Sequence, residues 1–151
     1  MTQPYAGGCQ CGAVRYTIQS EPSTIYICHC RDCQKQSSSA FGMSLTVPAD
    51  SVKIIKGPMK EWRRPADSGA EVFCRFCGDC GTRLFHGKDS RPEFINLKPG
   101  TLDDPGWLTP VAEVWTKRRQ PWLCLAGDML SFDVQPEDPL ALFDAWKARH
   151  A

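Results

Sequence analysis

The chain lacks the features that mark membrane, secreted and strongly nucleic-acid-binding proteins. Its 151 residues contain no apolar run near the roughly 20 residues that cross a bilayer. The amino terminus has neither the basic flank nor the apolar core of a secretory signal. The formal net charge of +1 gives no overall basicity that would attract nucleic acid. We therefore expect a cytoplasmic protein in a reducing setting, without a membrane partner.

Internal repeats and low-complexity linkers are also missing. Hydrophobic residues make up 42% of the chain and charged residues 23%, close to the averages of globular proteins. A chain of this length can bury a real core without depending on metal alone. Length and composition together predict a single domain over residues 1–151.

Helical periodicity is scarce, and alternation of apolar with polar or small residues dominates instead. Val14, Tyr16 and Ile18 alternate with polar neighbours, and residues 40–47 place Phe41 and three further apolar side chains on one face. Both patterns are typical of half-buried strands. Further strands are predicted at Thr24–Cys28, 51–56, 60–64, 71–76, 83–86, Phe94–Leu97 and 113–116. The fold class that follows is mainly β.

One helix is clearly indicated, near the carboxyl terminus. Asp138 can cap it, and Pro139 suits its first position. Leu140, Phe143 and Trp146 share one face of this helix. A second, short helical turn is expected at residues 31–36. The pattern thus predicts small β-sheets with a short C-terminal helix.

Cysteine is abundant, and its grouping is the most informative feature of the chain. Seven of the nine cysteines form three tight groups, namely Cys9 and Cys11, then Cys28, Cys30 and Cys33, then Cys77 and Cys80. Thiolates with one or two residues between them can bind one zinc ion without straining the backbone. A disulfide joins such close neighbours poorly, because it needs Cα atoms about 4.4–6.8 Å apart and suitable Cβ directions. The groups therefore predict zinc.

The first and last groups can form a closed site. Pairing Cys9 and Cys11 with Cys77 and Cys80 gives four thiolates, the usual set of a structural zinc. Cys74 and Cys77 form an alternative Cys-x-x-Cys pair that could replace Cys77 and Cys80 as ligands. The glycines that flank Cys80 favour the pair Cys77 and Cys80, so Cys74 is expected to be a bystander thiol.

The middle group supplies three sulfurs, from Cys28, Cys30 and Cys33, with no obvious fourth ligand. Three protein ligands and an open position are typical of catalytic zinc. Two alternatives are that a fourth protein ligand closes the site, or that the three thiols bind metal only loosely. Because three thiolates donate much negative charge, this zinc would suit activation of a thiol better than hydrolysis.

The remaining candidate residues have less specific patterns. His29 lies between two ligands, and an extended backbone would turn it away from their metal, so we interpret it as a supporting residue, with a general base as the alternative. His86 is expected to be a packed or surface residue. Cys124 is interpreted as a small core residue. Five aromatics could line a pocket or belong to the core, namely Trp107, Trp115, Trp122, Phe41 and Phe94. Most of them are expected in the core, with Phe41 as a candidate pocket wall.

Taken in order, these motifs resemble the glutathione-dependent formaldehyde-activating enzymes, a family grouped with centromere protein V. Three cysteine motifs in register make a specific signal, and the resemblance covers residues 7 to 133. The matching positions are Gly7, Gly8, Cys9, Cys11, Gly12, Val14, Arg15, Tyr16, Cys28, His29, Cys30, Cys33, Gln34, Lys35, Ser37, Ala40, Phe41, Phe76, Cys77, Gly78, Cys80, Gly81, Thr82, Leu84, Asn96, Leu97, Lys98, Pro99, Gly100, Thr101, Leu102, Asp103, Trp115, Pro121 and Trp122.

The resemblance implies a β-tent fold of small zinc-bound sheets. It implies carbon–sulfur lyase chemistry, the reversible condensation of glutathione with formaldehyde to S-hydroxymethylglutathione. A small thiol such as glutathione and an aldehyde would be the partners. The implied ligand sets are Cys9, Cys11, Cys77 and Cys80 for a structural zinc, and Cys28, Cys30 and Cys33 for a labile catalytic zinc.

Two other classes of function compete with the enzyme. A non-catalytic zinc module would bind protein or nucleic acid through a basic patch built from Arg63, Arg64 and residues 117–119, although so short a run is usually a solvated face. The same cations would instead neutralise the carboxylates of a glutathione-like thiol. A redox or metal-buffering protein would use the three-cysteine group as a labile store. Salt-dependent binding of nucleic acid would favour the module, and saturable binding of a small thiol the enzyme.

Overall fold

The computed structural model describes residues 3–67, 69–138 and 140–151, and within these ranges the protein is mainly β. Eleven strands form two sheets, which confirms the predicted fold class. The strands are β1 (Tyr5–Gly8), β2 (Arg15–Ile18), β3 (Thr24–Cys28), β4 (Gly42–Pro48), β5 (Val52–Lys56), β6 (Met59–Pro65), β7 (Glu71–Cys77), β8 (Arg83–Lys88), β9 (Phe94–Leu97), β10 (Ala112–Val114) and β11 (Leu130–Phe132). The α-helices are α1 (Arg31–Ser37) and α2 (Ala141–His150), and short 3-10 helices lie at Ala49–Ser51, Pro99–Thr101 and Thr116–Arg118.

The chain divides into two compact units. The first comprises Met1–Pro22 and Thr46–Trp107, and the second comprises Ser23–Leu45 and Leu108–Ala151. We keep the single domain over residues 1–151 as a proposal. Within the described residues, no helix is both long and apolar enough to cross a membrane.

The first unit contains antiparallel strands joined by tight turns. β1, β2 and β5 form a three-stranded sheet, while β6, β7, β8 and β9 are consecutive antiparallel neighbours. The turn from β1 to β2 carries Cys9 and Cys11, and the turn from β7 to β8 carries Cys80. Cys77 ends β7, so two hairpins present the four cysteines of the predicted closed site.

The core of the first unit packs around Tyr16. This ring is buried on β2, makes an edge-to-face contact with Phe85 at 5.1 Å and bonds Thr101 Oγ1 through its hydroxyl at 2.8 Å. A Cβ at Gly7 would collide with the Tyr16 hydroxyl and with the carbonyl oxygen of Thr101. Glycine is thus required at residue 7 so that β1 can lie close to the tyrosine.

The second unit is built on parallel pairing. Its strands lie in the order β11, β10, β3, β4, and β10 pairs in parallel with both β3 and β11. The register places Val114 opposite Cys28, the last residue of β3. The short strand β10 therefore lies directly beside the start of the three-cysteine segment.

Most predicted strands are confirmed, two of them to the residue. β3 and β9 begin and end where the sequence pattern places them. The strand predicted at 113–116 is wrong at its end, because Trp115 has a left-handed backbone with φ 61 and the strand stops at Val114. The half-buried interpretation of 40–47 is also wrong, because Ser44 and Thr46 are buried together with the apolar residues between and after them. Thr46 tolerates burial because its hydroxyl bonds Asn96 Oδ1 at 2.8 Å.

The two helices lie where the sequence indicates, with two corrections. The N-cap of α2 is Leu140 and not Asp138, which lies two residues earlier and accepts the backbone N–H of Leu140 through its carboxylate at 2.9 Å. Leu140 does not lie on the buried face: it precedes α2 and is exposed, and the buried side chains are Leu142 and Trp146. Pro139 lies outside the described residues. The turn expected at 31–36 is α1.

Candidate metal centre

Four sulfurs from two hairpins of the first unit converge on one point. The Sγ atoms of Cys9, Cys11, Cys77 and Cys80 all lie within 4.8 Å of one another. The sulfurs of Cys9 and Cys11 are 3.6 Å apart, and those of Cys11 and Cys77 are 3.8 Å apart. Zinc–sulfur bonds of about 2.3 Å in a tetrahedron place the sulfurs about 3.8 Å from each other. The four-sulfur group therefore fits a zinc ion in size and donor type.

Backbone hydrogen bonds order the chain around these cysteines. The N–H of Val14 donates to Cys9 Sγ at 3.1 Å. The turn after Cys77 closes through the left-handed Gly81, whose N–H donates to the Cys77 carbonyl at 3.0 Å. The four-sulfur group is thus ordered by backbone hydrogen bonds, as turns that bind zinc require.

The thiols of Cys80 and Cys11 have pKa values shifted in opposite directions. The hydroxyl of Thr82, 3.1 Å from Cys80 Sγ, lowers the pKa of Cys80 to about 5. The N–H of Ala13 acts in the same direction on Cys11, but the neighbouring sulfurs of Cys80 and Cys9 outweigh it and raise the pKa of Cys11 to about 12. Crowded sulfurs therefore hold protons that a cation would displace.

Three more sulfurs meet in the second unit. Cys28 ends β3, Cys30 is the N-cap of α1, and Cys33 lies in the first turn of α1. Their Sγ atoms lie within 4.8 Å of one another, with Cys28 buried and the other two half-buried. The strand end and the helix start thus bring together the three cysteines that the sequence groups.

Negative charge in this three-sulfur group concentrates on Cys30. Hydrogen bonds from the thiols of Cys28 and Cys33, and from the backbone N–H of Cys33 at 3.3 Å, lower the pKa of Cys30. The same contacts, together with burial, raise the pKa of Cys28. Three cysteine sulfurs form a soft donor set that suits zinc.

No fourth donor completes this group within the described residues. Among residues 3–67, 69–138 and 140–151, no histidine, aspartate or glutamate has a ligand atom within the same 4.8 Å spacing as the sulfurs of Cys28, Cys30 and Cys33. The imidazole of His29 instead hydrogen-bonds Glu113, with Nε2 3.0 Å from Oε2. The two cysteine groups therefore differ in the number of sulfurs that each would offer to a metal.

The residues behind the three-sulfur group form a polar network that the sequence did not reveal. Glu113 also accepts from Arg119 at 2.9 Å and from Ser131 at 3.2 Å. Gln34, buried on α1, donates to the carbonyl of His29 at 2.6 Å. The available signal for Glu113 was one acidic residue inside an otherwise apolar strand.

The structure also places the other cysteines and histidine singled out by sequence. Cys74 is buried on β7 and belongs to neither sulfur group, in keeping with its interpretation as a bystander. Burial and the nearby charges of Lys98 and Arg83 hold the pKa of His86 well below its usual range. Cys124 is exposed, so its interpretation as a core residue is wrong.

Basic residues of the candidate patches make ion pairs or ring contacts with neighbouring side chains. Arg63 contacts Glu61, Glu71 and Asp89 at 2.6–2.8 Å. Lys117 and Arg118 lie over the ring of Trp115, at 5.0 and 5.6 Å from its centre. Trp122 is 70% exposed, so its expected place in the core is also wrong.

Comparison with known proteins shows related sequences and a similar fold. A Penicillium rubens protein, provisionally named as a glutathione-dependent formaldehyde-activating enzyme, is 29% identical over 117 residues. The match covers 70% of this chain and 59% of that relative, so the chain spans about three fifths of its length. The fold resembles a structural genomics crystal structure of a Rhodobacter sphaeroides protein, with a TM-score of 0.52 and 20% identity, over 70% of this chain and 91% of the other. The profile of the family described as glutathione-dependent formaldehyde-activating enzyme matches residues 4–118, and the chain belongs to this family.

Proposed function

We propose that the protein is a carbon–sulfur lyase that reversibly joins a small thiol to an aldehyde, with glutathione and formaldehyde as the pair that the family suggests. The thiol sulfur forms a bond to the aldehyde carbon, and the thiol proton ends on the former carbonyl oxygen. The reverse reaction breaks the same bond and releases thiol and aldehyde. The family membership and the geometry of the three-sulfur group support this proposal.

The seven grouped cysteines would hold zinc in two different ways. Cys9, Cys11, Cys77 and Cys80 offer a complete tetrahedral set, which suits a structural ion. Cys28, Cys30 and Cys33 offer three sulfurs, which suits a catalytic ion with one free position. When bound there, zinc supplies stabilisation of a substrate thiolate near neutral pH.

The chain's own residues prepare the second site for a thiol. Cys30 accepts hydrogen bonds that hold its sulfur as a thiolate, and Cys33 N–H is the backbone donor. Cys28 is buried, whereas Cys30 and Cys33 remain partly open to solvent. A substrate would therefore approach from the side of the two half-buried sulfurs, where its sulfur and the aldehyde can be held together.

The single observation that carries the proposal is the difference in donor number. Four sulfurs meet in one group and three in the other, and no further described side chain joins the three. A structural role would be served by a closed set in both places. The incomplete group is where substrate chemistry fits best.

The test uses NMR to measure how fast glutathione exchanges between its free form and its formaldehyde adduct. The sample is zinc-loaded protein mixed with glutathione and formaldehyde. We expect Cys30→Ser to abolish exchange while the fold is retained, because it removes the thiolate of the three-sulfur group. Cys77→Ser should instead lower solubility or stability, because it opens the four-sulfur group. Equal exchange in wild type and Cys30→Ser would contradict the catalytic assignment. Repeating the assay with other thiols and aldehydes defines the substrate class.

A further inference from the structure

A buried acidic side chain supports the segment that carries the three-sulfur group. Glu113 is 7% exposed and accepts hydrogen bonds from three side chains. His29 Nε2 lies at 3.0 Å, Arg119 Nη1 at 2.9 Å and Ser131 Oγ at 3.2 Å. A buried carboxylate is costly unless its oxygens accept hydrogen bonds and a cation lies close. Glu113 meets both conditions, so its carboxylate can be buried at this position without a large cost in stability.

The imidazole of His29 depends on this carboxylate. The ring is 0% exposed, and its Nδ1 atom has no hydrogen-bond partner in the described part of the chain. The ring also meets that of Phe41 edge to face, with 6.0 Å between the ring centres. Glu113 is therefore the one polar contact in the described chain that fixes the rotation of this ring.

The backbone of His29 is held as firmly as its side chain. Its N–H donates to the carbonyl of Val114 at 3.0 Å, and its carbonyl accepts from Gln34 at 2.6 Å. Adjacent residues of β10, Glu113 and Val114, thus hold the side chain and the backbone of the residue between Cys28 and Cys30. A movement of His29 would alter the separation of those two sulfurs.

We propose that Glu113 is a positioning residue of the three-sulfur site, which it orders by holding the imidazole of His29. This inference rests on the proposed function, because it concerns the geometry in which Cys28, Cys30 and Cys33 receive a metal. A metal site needs its ligands within about 0.5 Å of the productive geometry. Arg119 pairs with the Glu113 carboxylate at 2.9 Å and offsets its negative charge.

The test compares cobalt(II) binding to wild type, Glu113→Ala and Glu113→Gln, followed through the absorption bands of thiolate-bound cobalt. Loss of a supporting hydrogen bond near a metal site typically costs about 10–100-fold in metal affinity. We expect Glu113→Ala to lower the affinity of the three-sulfur group for cobalt(II), here called the second ion, by this factor and to shift the absorption bands of that ion. Binding of the first ion, by the four-sulfur group, should be unchanged. Glu113→Gln should restore most of the affinity, because its amide oxygen still accepts from His29 Nε2–H. Glu93→Gln removes an exposed glutamate that pairs with Arg91, and serves as the control.

Glu113→Asp provides the comparison if Glu113→Ala does not fold. It keeps the charge but draws the carboxylate back from His29, so we expect the affinity for the second cobalt ion to fall here as well. A second ion bound as tightly as in wild type, in folded Glu113→Ala or Glu113→Asp, would overturn the positioning role while the proposed function stands. A wild type that takes up one cobalt ion would overturn the proposed function and this inference with it.

Discussion

The hydroxyl oxygen of Thr82 lies 3.1 Å from the sulfur of Cys80 and accepts the backbone N–H of Gln10 at 3.2 Å. One threonine thus joins the turn that carries Cys9 and Cys11 to the turn that carries Cys80. The same hydroxyl is the largest cause of the lowered pKa of Cys80, about 5. The four-sulfur group is therefore tuned by a residue that is not itself a ligand.

Thr82→Val should weaken zinc binding by the four-sulfur group, more strongly at pH 6 than at pH 8. Without the hydroxyl, the pKa of Cys80 rises towards the ordinary value of about 8.5, so protons compete with zinc as the pH falls. Competition with a chelator at both pH values measures the effect. Thr17→Val, on β2, is the control. An equal loss of affinity at the two pH values would contradict this explanation.

Gln34→Ala should destabilise the second unit. The Gln34 amide donates to the carbonyls of His29 and Arg118, at 2.6 and 3.0 Å, and both acceptors would lose a partner. Leaving buried polar groups unsatisfied costs about 1–3 kcal/mol. Urea unfolding measures the change. Lys35→Ala, at the exposed neighbouring position, should stay within about 0.5 kcal/mol of wild type. Equal stability of the two variants would show that Gln34 does not hold the segment.

Gly7→Ala and Gly100→Ala form a matched pair in the first unit. A Cβ at residue 7 meets the Tyr16 hydroxyl, whereas a Cβ at residue 100 meets nothing within 4 Å. Overpacking of this kind costs about 1–3 kcal/mol, so Gly7→Ala should lower the midpoint of thermal unfolding. Gly100→Ala should leave the midpoint nearly unchanged. Similar midpoints for both variants would show that β1 can move away from Tyr16.

Metal removal should be stepwise. A mild chelator should take the ion of the three-sulfur group first, because three ligands hold zinc less firmly than four. The zinc content, measured by atomic absorption, should fall from two ions per chain to one while the circular dichroism spectrum is retained. Removal of the remaining ion should unfold the first unit. Loss of both ions together would contradict the division between the two groups. Rapid oxidation of the emptied thiols would instead favour a metal-buffering protein.

Cysteine spacing revealed most of the candidate site because close thiols are a local signal. Cys28, Cys30 and Cys33 lie within six residues, and the structure brings their sulfurs together as the spacing suggests. Glu113 could not be paired with His29 in this way, since 84 residues separate them and only the parallel pairing of β10 with β3 brings them into contact.

The predictions about the fold that were wrong also have physical causes. Trp122 and Cys124 look like core residues because they stand in an apolar stretch, but nothing local tells an exposed apolar loop from a buried one. Trp115 ends β10 through a left-handed backbone that bulky residues rarely adopt, so the strand looked longer from sequence. The strand β1 (Tyr5–Gly8) was not predicted, because two of its four residues are glycines.

We expect the three-sulfur group to leave a metal position for a substrate thiol and the four-sulfur group to leave none. Cadmium-113 NMR of the cadmium-loaded protein tests this central claim most directly, because each ion gives its own resonance. We predict two resonances, of which one moves when glutathione is added and is missing in Cys30→Ser, while the other stays fixed. Two resonances that both ignore the thiol would contradict the claim.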